Sequence, residues 1–145
     1  MDLSKLTNLH KQVIMDHYKN PSNKGIADEG AGYHKVHLRN PSCGDEITIS
    51  LKMKDDTIEH IMQDGTGCSI CCSSASVMSE TLEGKEAPAA IKIIENFYEI
   101  VKGEPHDTNI DMGDAIAYTG VSNFPARIKC ATISWKAVET ALLDL

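Results

Sequence analysis

Apolar positions near the start of the chain recur every three or four residues, with polar residues between them. This spacing predicts an amphipathic helix over residues 3–18, with one face packed against the core. Its apolar residues are Leu3, Leu6, Leu9, Val13 and Ile14. Asn20-Pro21-Ser22-Asn23 and then Gly25 follow, and these residue types predict that the helix ends there and a loop begins.

From about residue 34 the hydrophobic period shortens toward two, which is typical of strands with one buried face. The predicted strands lie near residues 34–40, 46–53 and 57–64. Because short polar turns separate them, they form an antiparallel meander. The segment after the third strand then lies at the same end of the sheet as the first turn. Cys43 and Cys68 are therefore expected to be neighbours.

The rest of the chain returns to helical spacing. Helices are predicted over residues 73–82, over residues 88–101, and in a final segment with Trp135, Val138 and Leu142 on one face. Residues 103–123 are polar and interrupted by glycine. This composition predicts an irregular segment between two helices, with only short helical turns in it.

Length and composition narrow the possible classes of protein. The 145 residues suffice for one domain with its own core. The formal net charge is −7 and no basic stripe is visible, so no nucleic acid is expected as a partner. No apolar run approaches the roughly 18 residues of a membrane span, and the first residues lack the apolar core of a signal peptide. We expect a cytoplasmic protein with no membrane partner.

Five cysteines are present, and an odd number in a reducing compartment disfavours disulfides. Cys43 and Asp45 flank Gly44 in a predicted turn, where glycine lets both side chains point the same way. Cys68 and Cys130 each lie near the predicted start of a helix, where backbone N–H groups favour a thiolate. Each thiol alone is equally consistent with structural packing. Together they are candidate metal ligands.

Two cations precede the last of these cysteines. Arg127 and Lys129 would offset the negative charge of a site that contains several thiolates and a carboxylate. Both are equally consistent with ordinary surface charges. Their position beside Cys130 makes them candidate supporting residues.

Cys71 and Cys72 follow Cys68 closely and create a C-x-x-C spacing. The β-α-β pattern that accompanies thioredoxin chemistry is absent from the preceding sequence. Small and apolar neighbours favour packing inside a helix for both thiols.

Four ordered motifs make the chain resemble the U-type iron–sulfur cluster assembly family, which includes the IscU and NifU N-terminal proteins. The motifs are Asp16-His17-Tyr18-Lys19-Asn20-Pro21, Asn40-Pro41-Ser42-Cys43-Gly44-Asp45, Gly65-Thr66-Gly67-Cys68-Ser69-Ile70 and Arg127-Ile128-Lys129-Cys130-Ala131-Thr132. They span nearly the whole chain. The resemblance implies an α+β fold, a three-stranded antiparallel sheet packed with helices, and a single domain over residues 1–145.

Two features make the chain similar to the SufU-like branch. The IscU-like branch has a histidine directly before its last cysteine, where this chain has Lys129. The SufU-like branch also has an insertion before the last motif, and residues 103–123 resemble it. The pair Cys71 and Cys72 departs from the SufU-like pattern, so a role for these thiols in ligation or sulfur handling stays open.

The resemblance implies a cofactor, a reaction and partners. Zinc would be held by Cys43, Asp45, Cys68 and Cys130, and Cys130 would accept sulfur as a persulfide from a cysteine desulfurase of the SufS type. Downstream iron–sulfur assembly proteins are the further expected partners. In the mechanism that we favour, a partner side chain displaces Cys130 from zinc, and the freed thiolate attacks the desulfurase persulfide.

Two other hypotheses remain open. The same residues could assemble a [2Fe–2S] cluster, because thiolates hold such clusters and an aspartate ligand would leave the cluster transferable. A purely structural zinc site is a further alternative, although such sites favour closed sets of cysteine and histidine.

Overall fold

The structure, a computed structural model, describes residues 8–28 and 30–144. Three strands are followed by a mainly helical second half, with one helix before the sheet. The elements are α1 (Asn8–Lys19), β1 (His34–Asn40), β2 (Asp45–Lys54), β3 (Thr57–Thr66), α2 (Ser69–Leu82), α3 (Ala87–Lys102), the 3₁₀ helices Gly113–Asn123 and Pro125–Arg127, and α4 (Ile128–Leu143). The predicted α+β class is confirmed. No helix in this described part is long and apolar enough to cross a membrane.

The sheet is the antiparallel meander that the alternating pattern predicts, with strand order β1-β2-β3. Asn40 pairs with Asp45 at the start of β2, and Glu46 pairs with Thr66 at the end of β3. The β1–β2 turn and the segment that follows β3 therefore lie at one end of the sheet. This topology brings the Cys43 motif and the Cys68 motif together.

The core lies between the sheet and the helices that cover it. The inward face of β2 is fully buried at Ile47, Ile49 and Leu51. Helix α2 contacts β3, and α4 contacts β1, β2 and α2. Phe97 of α3 stacks on Trp135 of α4, with ring centroids 4.0 Å apart. Helices α2 and α4 thus form the layer next to the sheet, with Cys68 directly before α2 and Cys130 in the first turn of α4.

Two helices differ from their predicted limits. Helix α1 is described from Asn8, so Leu3 and Leu6 lie outside the described residues. Leu9 does not belong to the buried face, since it is 66% exposed. Helix α2 begins at Ser69 rather than near residue 73. Cys68 is the N-cap residue and has an extended backbone, so the helix begins directly after it. Cys71 and Cys72 therefore lie in the first turn of α2.

The segment 103–123 begins with an irregular stretch and ends in the 3₁₀ helix Gly113–Asn123. The side chain of Asn96 donates to the carbonyl of Asp107 and accepts its N–H, with distances of 3.0 Å and 2.8 Å. The buried hydroxyl of Tyr118 lies 2.7 Å from the Ser73 hydroxyl of α2. These contacts hold the segment against the helical layer.

We expect Ser74→Ala to lower the free energy of unfolding by about 2 kcal/mol, because it leaves the buried Trp135 indole N–H without an acceptor and removes a second hydrogen bond to the Ala131 carbonyl. The Ser74 hydroxyl donates to the Ala131 carbonyl at 2.6 Å and accepts the Trp135 indole N–H at 2.9 Å. The matched control is Ser134→Ala, since the buried Ser134 hydroxyl has no partner among the described residues. The control should be neutral or slightly stabilising. Urea unfolding followed by tryptophan fluorescence measures both, and equal losses would contradict this account.

Candidate metal centre

The turn between β1 and β2 places Cys43 and Asp45. The N–H groups of Cys43 and Gly44 both donate to the Asn40 carbonyl, at 3.2 Å and 3.0 Å. Gly44 has a φ of +71°, a left-handed conformation that glycine adopts without steric cost. This tight turn leaves the Cys43 thiol half-buried and the Asp45 carboxylate buried at the sheet end.

The end of β3 brings Cys68 to the same carboxylate. Cys68 is the N-cap residue of α2, and its backbone N–H donates to Asp45 Oδ1 at 3.1 Å. Gly67 has a φ of +151°, and a Cβ there would lie 2.1 Å from Asp45 Oδ1. Only glycine permits this close approach. The Cys68 thiol itself is half-buried beside the site.

Helix α4 carries the fourth ligand candidate. Cys130 is fully buried, and its sulfur, the Cys43 sulfur and an Asp45 carboxylate oxygen all lie within 4.8 Å of one another. Asn40 contacts two of them, because its Nδ2 lies 3.5 Å from Asp45 Oδ2 and 3.8 Å from Cys130 Sγ. Three of the four predicted ligands thus form one group. Cys68 borders this group through its backbone.

The guanidinium of Arg127 lies over the two thiols. Its Nη1 is 3.5 Å from Cys43 Sγ and 4.0 Å from Cys130 Sγ. A hydrogen bond with Cys130 raises the pKa of Arg127 above its ordinary value. Lys129 is exposed and lines a neighbouring groove of about 420 Å³ with Leu38 and Lys136. Of the two predicted supporting cations, the structure therefore places Arg127 on the sulfur atoms.

The donor set fits a divalent metal such as zinc. Burial raises the pKa of the Cys130 thiol, and its contacts with Asp45 and Cys43 raise it further. Burial disfavours the charged thiolate because it removes water, and acidic groups crowded at one site also disfavour one another's charged forms. A divalent cation would offset that cost. Zinc favours tetrahedral sets of sulfur and oxygen ligands, which Cys43, Asp45, Cys130 and the adjacent Cys68 can supply.

Cys71 and Cys72 lie in different environments. Cys71 is fully buried, as a packed thiol would be, whereas Cys72 lines a cavity of about 400 Å³ with Lys24 and Gln63. A hydrogen bond from Cys71 lowers the pKa of Cys72 to about 7. The Cys72 sulfur lies 3.7 Å from the Gly67 carbonyl. Cys72 is thus a reachable thiol next to the site, which the helical pattern alone did not indicate.

A family model for the NifU-like N-terminal domain matches residues 9–131. The chain belongs to this family. The resemblance predicted from the motifs is confirmed. Among relatives of this NifU-like chain, the zinc-dependent sulfurtransferase SufU of Bacillus subtilis (strain 168) is 46% identical over 134 residues, which cover 92% of this chain and 89% of SufU. The iron–sulfur cluster assembly scaffold protein IscU of Streptococcus pyogenes serotype M1 is 39% identical over 142 residues, which cover 98% of this chain and 87% of IscU.

A solved structure has the same architecture as this NifU-like domain. A protein of Fervidobacterium islandicum AW-1, described as a candidate iron–sulfur cluster assembly scaffold for the SUF system, superimposes with a TM-score of 0.83. It is 30% identical, and the match covers 98% of this chain and 99% of that protein. The predicted helix-covered three-stranded sheet is confirmed by this similarity.

Two features of the structure were not predicted from the sequence, the role of Asn40 and the group formed by His17, Glu80 and Asp114. Asn40 contacts the ligand candidates, and the signal was its place directly before the Pro41-Ser42-Cys43 motif. His17 meets Glu80 and Asp114 from two other elements. Spacing along the chain does not reveal this grouping, because it depends on contacts between distant segments.

Proposed function

We propose that this protein is a zinc-dependent sulfurtransferase that accepts persulfide sulfur from a cysteine desulfurase of the SufS type during iron–sulfur cluster biogenesis. The observation that carries the proposal is the group formed by Cys43, Asp45 and Cys130, with Arg127 over both thiols. The similarity to a relative named for this activity supports it. We place the protein in the cytoplasm, with downstream iron–sulfur assembly proteins as further partners.

Cys43, Asp45, Cys68 and Cys130 would hold the zinc. When bound, zinc keeps thiols deprotonated at neutral pH and brings no redox activity of its own. The Asp45 carboxylate is positioned by the N–H of Cys68 and faces the Asn40 amide. These contacts fix the carboxylate at the sheet end before any ion arrives.

Cys130 is the proposed sulfur acceptor. Its thiolate attacks the terminal sulfur of the desulfurase persulfide. A new S–S bond forms at Cys130, the S–S bond on the desulfurase breaks, and the desulfurase cysteine leaves as a thiolate. Arg127 stabilises the negative charge on Cys130 before attack. No external oxidant or reductant is required.

Access to Cys130 requires a local movement. The sulfur is fully buried, and the turn that precedes α4 lies against the site through Arg127 and through the Ala126 carbonyl, 3.8 Å from Cys43 Sγ. This turn is the short 3₁₀ helix Pro125–Arg127. We infer that a docked desulfurase shifts it and exposes the thiol.

We also infer that residues 1–145 form one U-type domain with an insertion at about 103–123. The packing of the Gly113–Asn123 segment on α3, α1 and α2 supports this inference.

In the second candidate function, the four proposed ligands Cys43, Asp45, Cys68 and Cys130 assemble a [2Fe–2S] cluster. The name of the Streptococcus pyogenes relative and the sulfur-rich donor set favour that alternative.

The test is to find the transferred sulfur. The protein is incubated with a SufS-type desulfurase and cysteine, alkylated without reductant, digested and analysed by mass spectrometry. We expect about 32 additional mass units on the Cys130 peptide, the mass of one sulfur atom gained by thiol–persulfide exchange. Sulfur only on another cysteine, or on none, would contradict the proposal.

A further inference from the structure

A second set of metal-ligating side chains lies outside the thiol centre. His17 of α1, Glu80 of α2 and Asp114 of the 3₁₀ helix Gly113–Asn123 each offer a ligand atom within 4.8 Å of the others. The three residues come from elements far apart in sequence. Their meeting is a result of the tertiary fold.

The histidine is buried and held at both ring nitrogens. His17 is 6% exposed, and its Nε2 lies 2.8 Å from Asp114 Oδ2. Its Nδ1 lies 2.8 Å from the Ser76 hydroxyl, which also accepts the backbone N–H of Ser22 at 2.7 Å. On metal binding, the Ser76 hydroxyl would hold Nδ1, and the ion would replace the hydrogen bond between Nε2 and Asp114. A second nitrogen held by a polar neighbour is the usual way in which a metal-binding histidine is oriented.

The carboxylates of Glu80 and Asp114 contact polar neighbours, and both are exposed enough to move toward a bound ion. Glu80 Oε2 lies 3.7 Å from His17 Nδ1 and accepts a hydrogen bond from the Ser22 hydroxyl. The side chains of Glu80 and Asp114 are 48% and 54% exposed. Both line a cavity of about 270 Å³, which Asp111 also borders. This space can hold the waters that would complete a coordination shell.

We propose that His17, Glu80 and Asp114 bind one divalent first-row transition metal ion. A neutral imidazole and two carboxylates carry a charge of −2, which a divalent ion balances. Nitrogen and carboxylate ligands without sulfur suit manganese, iron or zinc better than the soft metals that thiolates select. The bound ion would join α1, α2 and the 103–123 segment. This proposal does not depend on the proposed sulfurtransferase function.

Manganese titration tests the second site apart from the first. The full chain is given one equivalent of Zn²⁺, which thiolates prefer, and is then titrated with Mn²⁺ while the EPR signal of the free ion is measured. We expect one Mn²⁺ per chain and broadening of the His17 ring signals in NMR spectra. Asp114→Asn and Glu80→Gln should each weaken binding by at least about tenfold.

The matched control is Asp111→Asn, which removes one negative charge from the same cavity wall but none of the three ligands. It should leave the Mn²⁺ affinity unchanged. The substituted side chains are exposed, and circular dichroism verifies that each variant is folded. No Mn²⁺ binding at millimolar metal would overturn the proposal. Equal weakening by all three variants would also overturn it, because it would show diffuse attraction to an acidic surface.

Discussion

Cys130→Ser is expected to abolish the stimulation of the partner desulfurase, with the rate falling to that of the desulfurase alone. A hydroxyl forms no persulfide, and serine is close to cysteine in size, so the fold should persist. The measurement is alanine release from cysteine at a fixed desulfurase concentration, with increasing amounts of wild-type or variant protein. Near-UV circular dichroism verifies that the variant is folded.

Cys72→Ser is the most informative control for this experiment. Cys72 is partly exposed, and its pKa is lowered to about 7, so it is a competent nucleophile next to the site. We expect the Cys72→Ser and Cys71→Ser proteins to keep most of the stimulation of the desulfurase. If Cys130→Ser still stimulated the desulfurase and Cys72→Ser did not, the sulfur acceptor would be Cys72 and not Cys130.

Removal of zinc is expected to lower the melting temperature by roughly 10 °C for a chain of this size. A ligand that binds only the folded state stabilises it by about 4 kcal/mol when its free concentration is a thousand times Kd. The proposed ligands come from the β1–β2 turn, the start of α2 and the start of α4, so the unfolded chain lacks a preformed site. Differential scanning calorimetry before and after chelation measures the shift.

A Cys43→Ser variant provides the control for chelation. It lacks one proposed ligand, so it should melt below the wild-type protein and respond little to the chelator. Zinc added back should restore the wild-type melting temperature and leave the variant near its own. An unchanged melting curve for wild-type protein verified to be free of metal would argue against coordination by these residues.

Local sequence patterns predicted most of the fold. The strand predicted near residues 46–53 is β2, whose inward face is buried at Ile47, Ile49 and Leu51. The helix predicted over residues 88–101 is α3. The exposure of Leu9 was not predictable. The spacing of apolar residues along a helix does not show where the elements that pack against it end. The start of α2 was placed too late, since Cys68 caps that helix without a side-chain hydrogen bond that a sequence pattern would reveal.

The part of the candidate site whose residues lie in short sequence motifs could be predicted. Cys43 and Asp45 share one turn, and the meander topology brought Cys68 to the same sheet end. The contact of Arg127 with both thiols followed from its place just before α4. The contacts of His17 with Glu80 and Asp114 join three elements, so no local pattern could predict them.

The most direct test of the central claim is the metal and sulfide content of the protein, isolated anaerobically without added iron. We expect close to one zinc per chain, no acid-labile sulfide and a colourless solution, because Cys43, Asp45, Cys68 and Cys130 would hold zinc rather than iron and sulfide. Stoichiometric iron and sulfide, with visible absorbance, would contradict it and would identify the protein as a scaffold for a [2Fe–2S] cluster.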